Sequence, residues 1–258
     1  MIAILVLTIM PSLVGPGGIG KTRLAQQAAR GKLGDFLDGV WLVPLASLDN
    51  EADLVTAVAQ AIDFTFSGAG SPQAQLLQYL RRKEMLLVLD NFEQLLTDGR
   101  IPLVTEILAQ APQVKLLVTS QERLNVQAES LLELNGLPYP SVTNDNEAAD
   151  YPAIQLFADR ARRLKPDCAL DVTAVSHICQ LVEGLPLALE LAAAWIRVLP
   201  LAEIAAEIEQ GLDFLTSPLR DAPDRHRSVR ILFEGSWQIS NVNEQQESFL
   251  SFFEKVIS

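Results

Sequence analysis

The first half of the chain alternates short apolar runs with longer amphipathic ones, and the second half does not. Apolar runs at 9–14, 39–44, 85–90 and 114–120 are too short for buried helices and read as buried strands. A weaker run at 130–134 predicts a short fifth strand. Between them, apolar residues recur at helical spacing over 22–30, 51–62, 72–82 and 101–111. Asp49 or Asn50 suits the N-cap of the second of these helices, and Pro72 opens the third. Strands alternating with helices predict an α/β domain over 1–137, a five-stranded parallel sheet with helices on both faces.

The pattern then changes. Residues 137–150 mix prolines, asparagines and acids and read as a linker. Beyond it only helical periodicity remains, over 152–164, 172–182, 186–198, 201–210, 228–239 and 244–257. An all-helical domain is expected over 151–215. A polar, proline-containing hinge at 216–227 then leads into the start of a further domain over 226–258. The helical pattern runs to the last residue without a cap or polar tail, so a longer parent protein is expected. No internal repeat is visible.

Residues 1–14 are almost entirely apolar, as in a signal peptide or an anchor. They carry no basic leading region, Pro11 interrupts them, and a spanning helix needs ~20 apolar residues. Residues 9–14 instead read as a strand, with Pro11 a local irregularity and residues 2–7 a possible extra β-segment. No membrane association is expected.

That strand feeds the stretch that carries chemistry. Gly15, Pro16, Gly17, Gly18, Ile19, Gly20, Lys21 and Thr22 fit the phosphate-loop pattern G-x-x-x-x-G-K-[ST], between a strand and a helix as the motif requires. Phosphate binding needs many donors converging on one anion, and glycines let the backbone curl its N–H groups inward. Lys21 suits the β- and γ-phosphates, and the Thr22 hydroxyl suits Mg²⁺. The N-terminus of the following helix adds its dipole.

Asp90 ends a buried strand, where an acid can hold the Mg²⁺ that accompanies ATP or ADP. An adjacent parallel strand is expected to place it beside the loop. Glu93, three residues on, has two open readings: a base that polarises water, or a solvated helix-start glutamate. Asn91 can hydrogen-bond water but cannot take its proton. In a doubly wound sheet the strand C-termini line the ligand crevice, so Thr119 or Gln121 can sense the γ-phosphate by hydrogen bonding. Arg123 can do so by charge, or lie on the surface.

Composition narrows the field. The chain has 258 residues, with 49% hydrophobic and 20% charged, an ordinary globular mixture. A net charge of −12 speaks against direct nucleic-acid binding by this segment. Arg160, Arg162 and Arg163, and Arg225, Arg227 and Arg230, read as solvated helix faces. Two cysteines, Cys168 and Cys179, and two histidines, His177 and His226, give neither a disulfide framework nor paired zinc spacing. Reduced, structural cysteines suit a cytoplasmic protein.

Together these residues resemble the signal-transduction ATPases with numerous domains, specifically the NB-ARC-like ATPase module of large bacterial regulators. The resemblance covers residues 13–253. It rests on the phosphate loop with Arg23 and Leu24, on the run 86–93 (LLVLDNFE), on 116–120 (LLVTS), on 184–191 (GLPLALEL) and on 225–228 (RHRS). It implies a P-loop NTPase sheet, a helical domain and the beginning of a winged helix at 226–258. It implies an ATP/ADP switch with slow ATPase activity inside a signalling or transcriptional regulator. The ATP state would self-associate, with other domains of the parent protein as partners. Nucleotide contacts would come from Gly15 through Arg23, with Thr119 and Gln121. Pro186 would pack on the adenine and report the nucleotide to the helical domain. Lys21, Asp90 and Glu93 would serve catalysis; Thr22 and Asp90 would hold Mg²⁺.

Three departures stand out. Gln121 replaces the arginine usual after Thr-Ser. The upstream glycine-arginine element would precede Met1. The winged-helix histidine would lie past Ser258, a place His226 does not fill. Two rivals remain. A small-molecule P-loop kinase would want an arginine-rich lid, and none is visible. A nucleotide-free scaffold with a decayed site is disfavoured by intact Lys21, Thr22 and Asp90.

Overall fold

A computed structural model describes residues 8–48, 50–68, 70–96, 101–140, 148–211 and 215. The expected segments at 2–7, 228–239 and 244–257, and with them the winged helix, lie outside the described residues. The chain divides into two units. The first holds residues up to Gly15 and from Lys21 to Leu134; the second holds Pro16–Gly20 and everything from Asn135 on.

The first unit is a five-stranded parallel sheet in the order β2-β3-β4-β1-β5. Its strands are β1 (Met10–Val14), β2 (Val40–Pro44), β3 (Leu86–Asp90), β4 (Lys115–Ser120) and β5 (Glu129–Glu133). Four helices follow the strands: α1 (Lys21–Arg30), α2 (Glu51–Ala61), α3 (Pro72–Leu80) and α4 (Pro102–Gln110). Side chains alternate across the pleat, so each central strand feeds two cores. Leu13, Leu86, Val88 and Leu117 meet α1 through Ala25, Ala28 and Ala29. Met10, Leu87, Leu89, Leu116 and Val118 face the larger core with α2, α3 and α4. This double burial explains why β1, β3 and β4 read as continuous apolar runs rather than alternating ones.

Local chemistry fixes the helix starts. Asn50 caps α2 by accepting the Asp53 N–H, and Ser71 caps α3 by accepting the Ala74 N–H just before Pro72. Pro11 sits inside β1 and pairs with Ser130 of β5, while the ladder to β4 runs from Ser12 onward. The irregularity expected at this proline, which has no N–H to donate, is therefore absorbed without breaking the strand.

One expectation is corrected. Asp90 does not stand on a strand adjacent to β1, because β4 lies between β1 and β3. The apolar pattern identifies buried strands but carries no information on their lateral order.

The second unit contains α5 (Pro152–Leu164), α6 (Val172–Leu181), α7 (Pro186–Ala194) and α8 (Leu201–Gln210). Phe157, Ile178, Leu189 and Ile204 are fully buried in it. Helices α5 and α7 pack together and are tied by Arg160 and Glu190 at 2.7 Å. Helix α7 ends at Ala194 and tightens into a 3-10 turn over Trp195–Arg197, so the helix expected over 186–198 is shorter in its α part. Cys179 is buried, and burial pushes its thiol to about 12, which keeps it protonated and inert. Both cysteines are free thiols.

Before α5 the backbone of residues 135–140 runs against the turn that joins α6 to α7. The Leu137 N–H donates to the Gly184 carbonyl at 2.8 Å, and the Gln180 side-chain amide donates to the Pro140 carbonyl at 2.9 Å. This approach needs glycine on both sides. A Cβ on Gly136 would stand 1.9 Å from the Glu183 carbonyl oxygen, and one on Gly184 would stand 2.1 Å from that of Leu137.

Candidate functional site

The C-terminal ends of β1, β3 and β4 meet at one edge of the first unit, and the polar residues buried there cluster with them. Lys21, Asp90, Glu93, Thr119 and Ser120 are all buried there. Burying charge among apolar side chains is costly unless each group is paired, so such a cluster marks a site rather than a core.

The phosphate loop leaves β1 with Gly18 at φ +76° and Gly20 at φ +98°, both in the region that side chains disfavour. The Ile19 side chain is buried and its N–H donates to the Pro16 carbonyl at 3.4 Å, closing a turn. Lys21 is the first residue of α1. Its ammonium is buried and donates to the Gly15 carbonyl at 2.7 Å, so the chain end of the loop holds its own lysine. Burial lowers the Lys21 pKa; the carboxylates of Glu93 and then Asp90 oppose that shift.

The next residue makes the link across the sheet. Thr22 Oγ1 donates to Asp90 Oδ1 at 2.7 Å, and Thr119 Oγ1 donates to the same oxygen at 2.6 Å. Register explains this meeting: β4 pairs Leu89 with Val118 and Leu13 with Thr119, which sets Thr119 between the ends of β3 and β1. The intervening strand therefore connects what sequence reasoning had placed side by side. Thr119 also accepts the Asn91 N–H at 3.0 Å, so its hydroxyl is used as both donor and acceptor.

After Asp90 the chain turns sharply. Asn91 adopts φ 66° and ψ 52°, a left-handed conformation that Asn tolerates better than most residues. A 3-10 turn over Phe92–Leu95 follows, anchored by fully buried Phe92. It returns Glu93 to the end of β4. Glu93 is 4% exposed, so the solvated reading of this glutamate fails. Its Oε1 accepts Asn91 Nδ2 at 3.0 Å and Gln121 Nε2 at 3.3 Å; its Oε2 accepts the Gln121 N–H at 3.2 Å. Asn91 is thus a site residue that had been weighed only as a water ligand. The neighbouring Glu122 has its pKa raised, first by burial and then by the Glu93 carboxylate.

Six residues expected at the site, Lys21, Thr22, Asp90, Glu93, Thr119 and Gln121, lie in the first unit. Arg23 is exposed on α1. Arg123 is half-exposed and pairs with Glu133. Pro186 opens α7 in the second unit, where the Leu187 N–H donates to the Gly18 carbonyl at 3.3 Å. Among the described residues, no three His, Cys, Asp or Glu side chains converge as a self-sufficient metal cage. Thr22 and Asp90 supply hard oxygen donors side by side. That suits Mg²⁺, which typically takes one or two protein ligands, substrate phosphates and water.

Residues 7–128 match the model of the NB-ARC domain. Over that stretch, just under half of the chain, the sequence is similar to the NB-ARC family. A Mycobacterium tuberculosis protein provisionally named an HTH-type transcriptional regulator is 32% identical over 248 residues, 95% of this chain and 27% of the relative. A second, uncharacterised protein of that species is 33% identical over 198 residues, 76% of this chain and 48% of the relative. The chain therefore spans from a quarter to a half of the length of these relatives. A Signal Transduction ATPase with Numerous Domains (STAND) protein with a tetratricopeptide repeat sensor, from Pyrococcus horikoshii, matches 97% of this chain and 33% of its own. The TM-score is 0.50 at 15% identity, a likeness of fold. The NB-ARC similarity and the P-loop NTPase fold imply nucleotide binding. Among the described residues no helix is long and apolar enough to cross a membrane.

Proposed function

We propose that this NB-ARC-like domain is an ATP/ADP-binding switch that hydrolyses ATP slowly, within a longer regulator. The carrying observation is the meeting of Thr22 and Thr119 on one oxygen of Asp90, beside buried Lys21. This arrangement gives the phosphates a cation and gives a metal two oxygen donors. Bound between Thr22, Asp90 and the phosphates, Mg²⁺ would neutralise charge on the β- and γ-oxygens. The α1 N-terminus adds backbone donors and a dipole that favour an anion there.

In hydrolysis a water oxygen bonds to the γ-phosphorus while its bond to the bridging oxygen breaks. The electron pair leaves with ADP, and the water's proton is taken up by a carboxylate, the role we assign to Glu93. Among the described residues, groups that act only on the transition state are few. Asn91 is no base, Gln121 carries no charge, and an arginine finger supplied in trans is worth ~10³–10⁵ in rate where present. The site favours holding nucleotide over turning it over. A switch needs that property, because each state must persist long enough to be read. The coupling of nucleotide state to self-association, cytoplasmic signalling or transcriptional output belongs to the whole regulator.

Asp90→Ala tests the assignment. ATP affinity in the presence of Mg²⁺ should fall about tenfold more than metal-free ADP affinity, corresponding to about 1.4 kcal/mol. Isothermal calorimetry with and without Mg²⁺ measures both. An equal loss in the two conditions would make Asp90 a structural anchor for Thr22 and Thr119 and would remove the metal assignment.

A further inference from the structure

The Glu93 carboxylate has the chemistry of a base, yet both of its oxygens are engaged. Three N–H donors from two elements converge on it: the Asn91 side chain from the turn after β3, and the backbone and side chain of Gln121 from the end of β4. Each donor occupies a lone pair of the carboxylate and fixes its orientation. The left-handed Asn91 is what turns the chain so that its own amide reaches Glu93, two residues later. Gln121 contributes twice, from one residue, which makes it the principal holder.

We propose that Asn91 and Gln121 form a clamp that restrains Glu93 and thereby brakes ATP hydrolysis. The proposal rests on the reading of this site as an ATP-binding one and specifies how its turnover is regulated. Gln121 and Asn91 are positioning residues: they act on ATP through Glu93. Gln121 occupies the place of a charge in the resembled family, and here it has a different task, holding a carboxylate rather than a phosphate. A nucleotide or partner that drew the Gln121 amide away would release Glu93 toward water.

The clamp is tested by removing its donors one at a time. Gln121→Ala deletes the side-chain amide and keeps the backbone N–H. Asn91→Gly deletes the other amide and keeps a residue content with positive φ, so the turn survives. Single-turnover cleavage of γ-labelled ATP at saturating concentration should rise at least fivefold in each variant, with ADP binding still detected by calorimetry. In a Glu93→Gln background neither substitution should change the rate. A merely structural role would lower the melting temperature and leave the rate unchanged or reduced. A fall or no change in rate with ADP binding intact would overturn the clamp and leave the binding assignment standing. A rise that persists without the Glu93 carboxylate would overturn it too. Loss of ADP binding by the wild-type protein would instead overturn the functional reading, and the clamp with it.

Discussion

Gly184→Ala will destabilise the second unit by about 3–5 kcal/mol and lower its melting temperature by about 10 °C. Two costs add. The residue sits at φ +67°, where an L side chain costs ~1–2 kcal/mol. Its new Cβ would also stand 2.1 Å from the Leu137 carbonyl oxygen, a backbone atom that cannot rotate away. The only escape is to part residues 135–138 from the α6–α7 turn, which breaks the Leu137–Gly184 hydrogen bond. Gly34→Ala is the control: nothing lies within 4 Å of its added Cβ and its φ is unexceptional, so stability should move by no more than about 0.5 kcal/mol. Circular dichroism melts of both variants decide the matter. Similar stability for the two would mean that the strap over the turn is not formed.

Lys21→Ala will reduce affinity for ATP and ADP about 100-fold while leaving the fold intact. The ammonium is buried and donates to the Gly15 carbonyl of its own loop, and burying a charge is costly. Burial accordingly lowers its pKa. A phosphate beside it would reverse that shift, because an opposite charge favours the protonated form. The interaction is charge-assisted, worth ~1.5–3 kcal/mol per hydrogen bond, and the lysine makes more than one with a polyphosphate. Calorimetric titration of both nucleotides measures the affinity, and a melt measures the fold. Unchanged affinity would remove Lys21 from the site.

Much of this was legible in the sequence because the physics was local. The strands β1, β3 and β4 read as largely apolar runs since both faces are buried, and their lengths excluded helices. The loop declared itself by glycine spacing, and Asp49 or Asn50, and then Pro72, marked helix starts by chemistry that acts within three residues. What depends on lateral order was not legible. Periodicity cannot show that β4 separates β1 from β3, and so it could not reveal that Thr119 bridges Thr22 to Asp90. The clamp on Glu93 was hidden for the same reason: Gln121 and Asn91 lie 30 residues apart and meet only through the β3–β4 register. The left-handed Asn91 left one signal, an asparagine directly after a strand end, where such turns are common. Gly136 left none, because its glycine is required by a backbone that arrives from 47 residues away.

The claim at the centre of the account is that the site holds nucleotide rather than consuming it. Single-turnover kinetics with γ-labelled ATP, at several concentrations of the whole chain, tests this most directly. The account predicts cleavage far slower than the ~10 s⁻¹ typical of enzymes. Fast cleavage, independent of protein concentration, would mean that Glu93 is already a competent base and would contradict it.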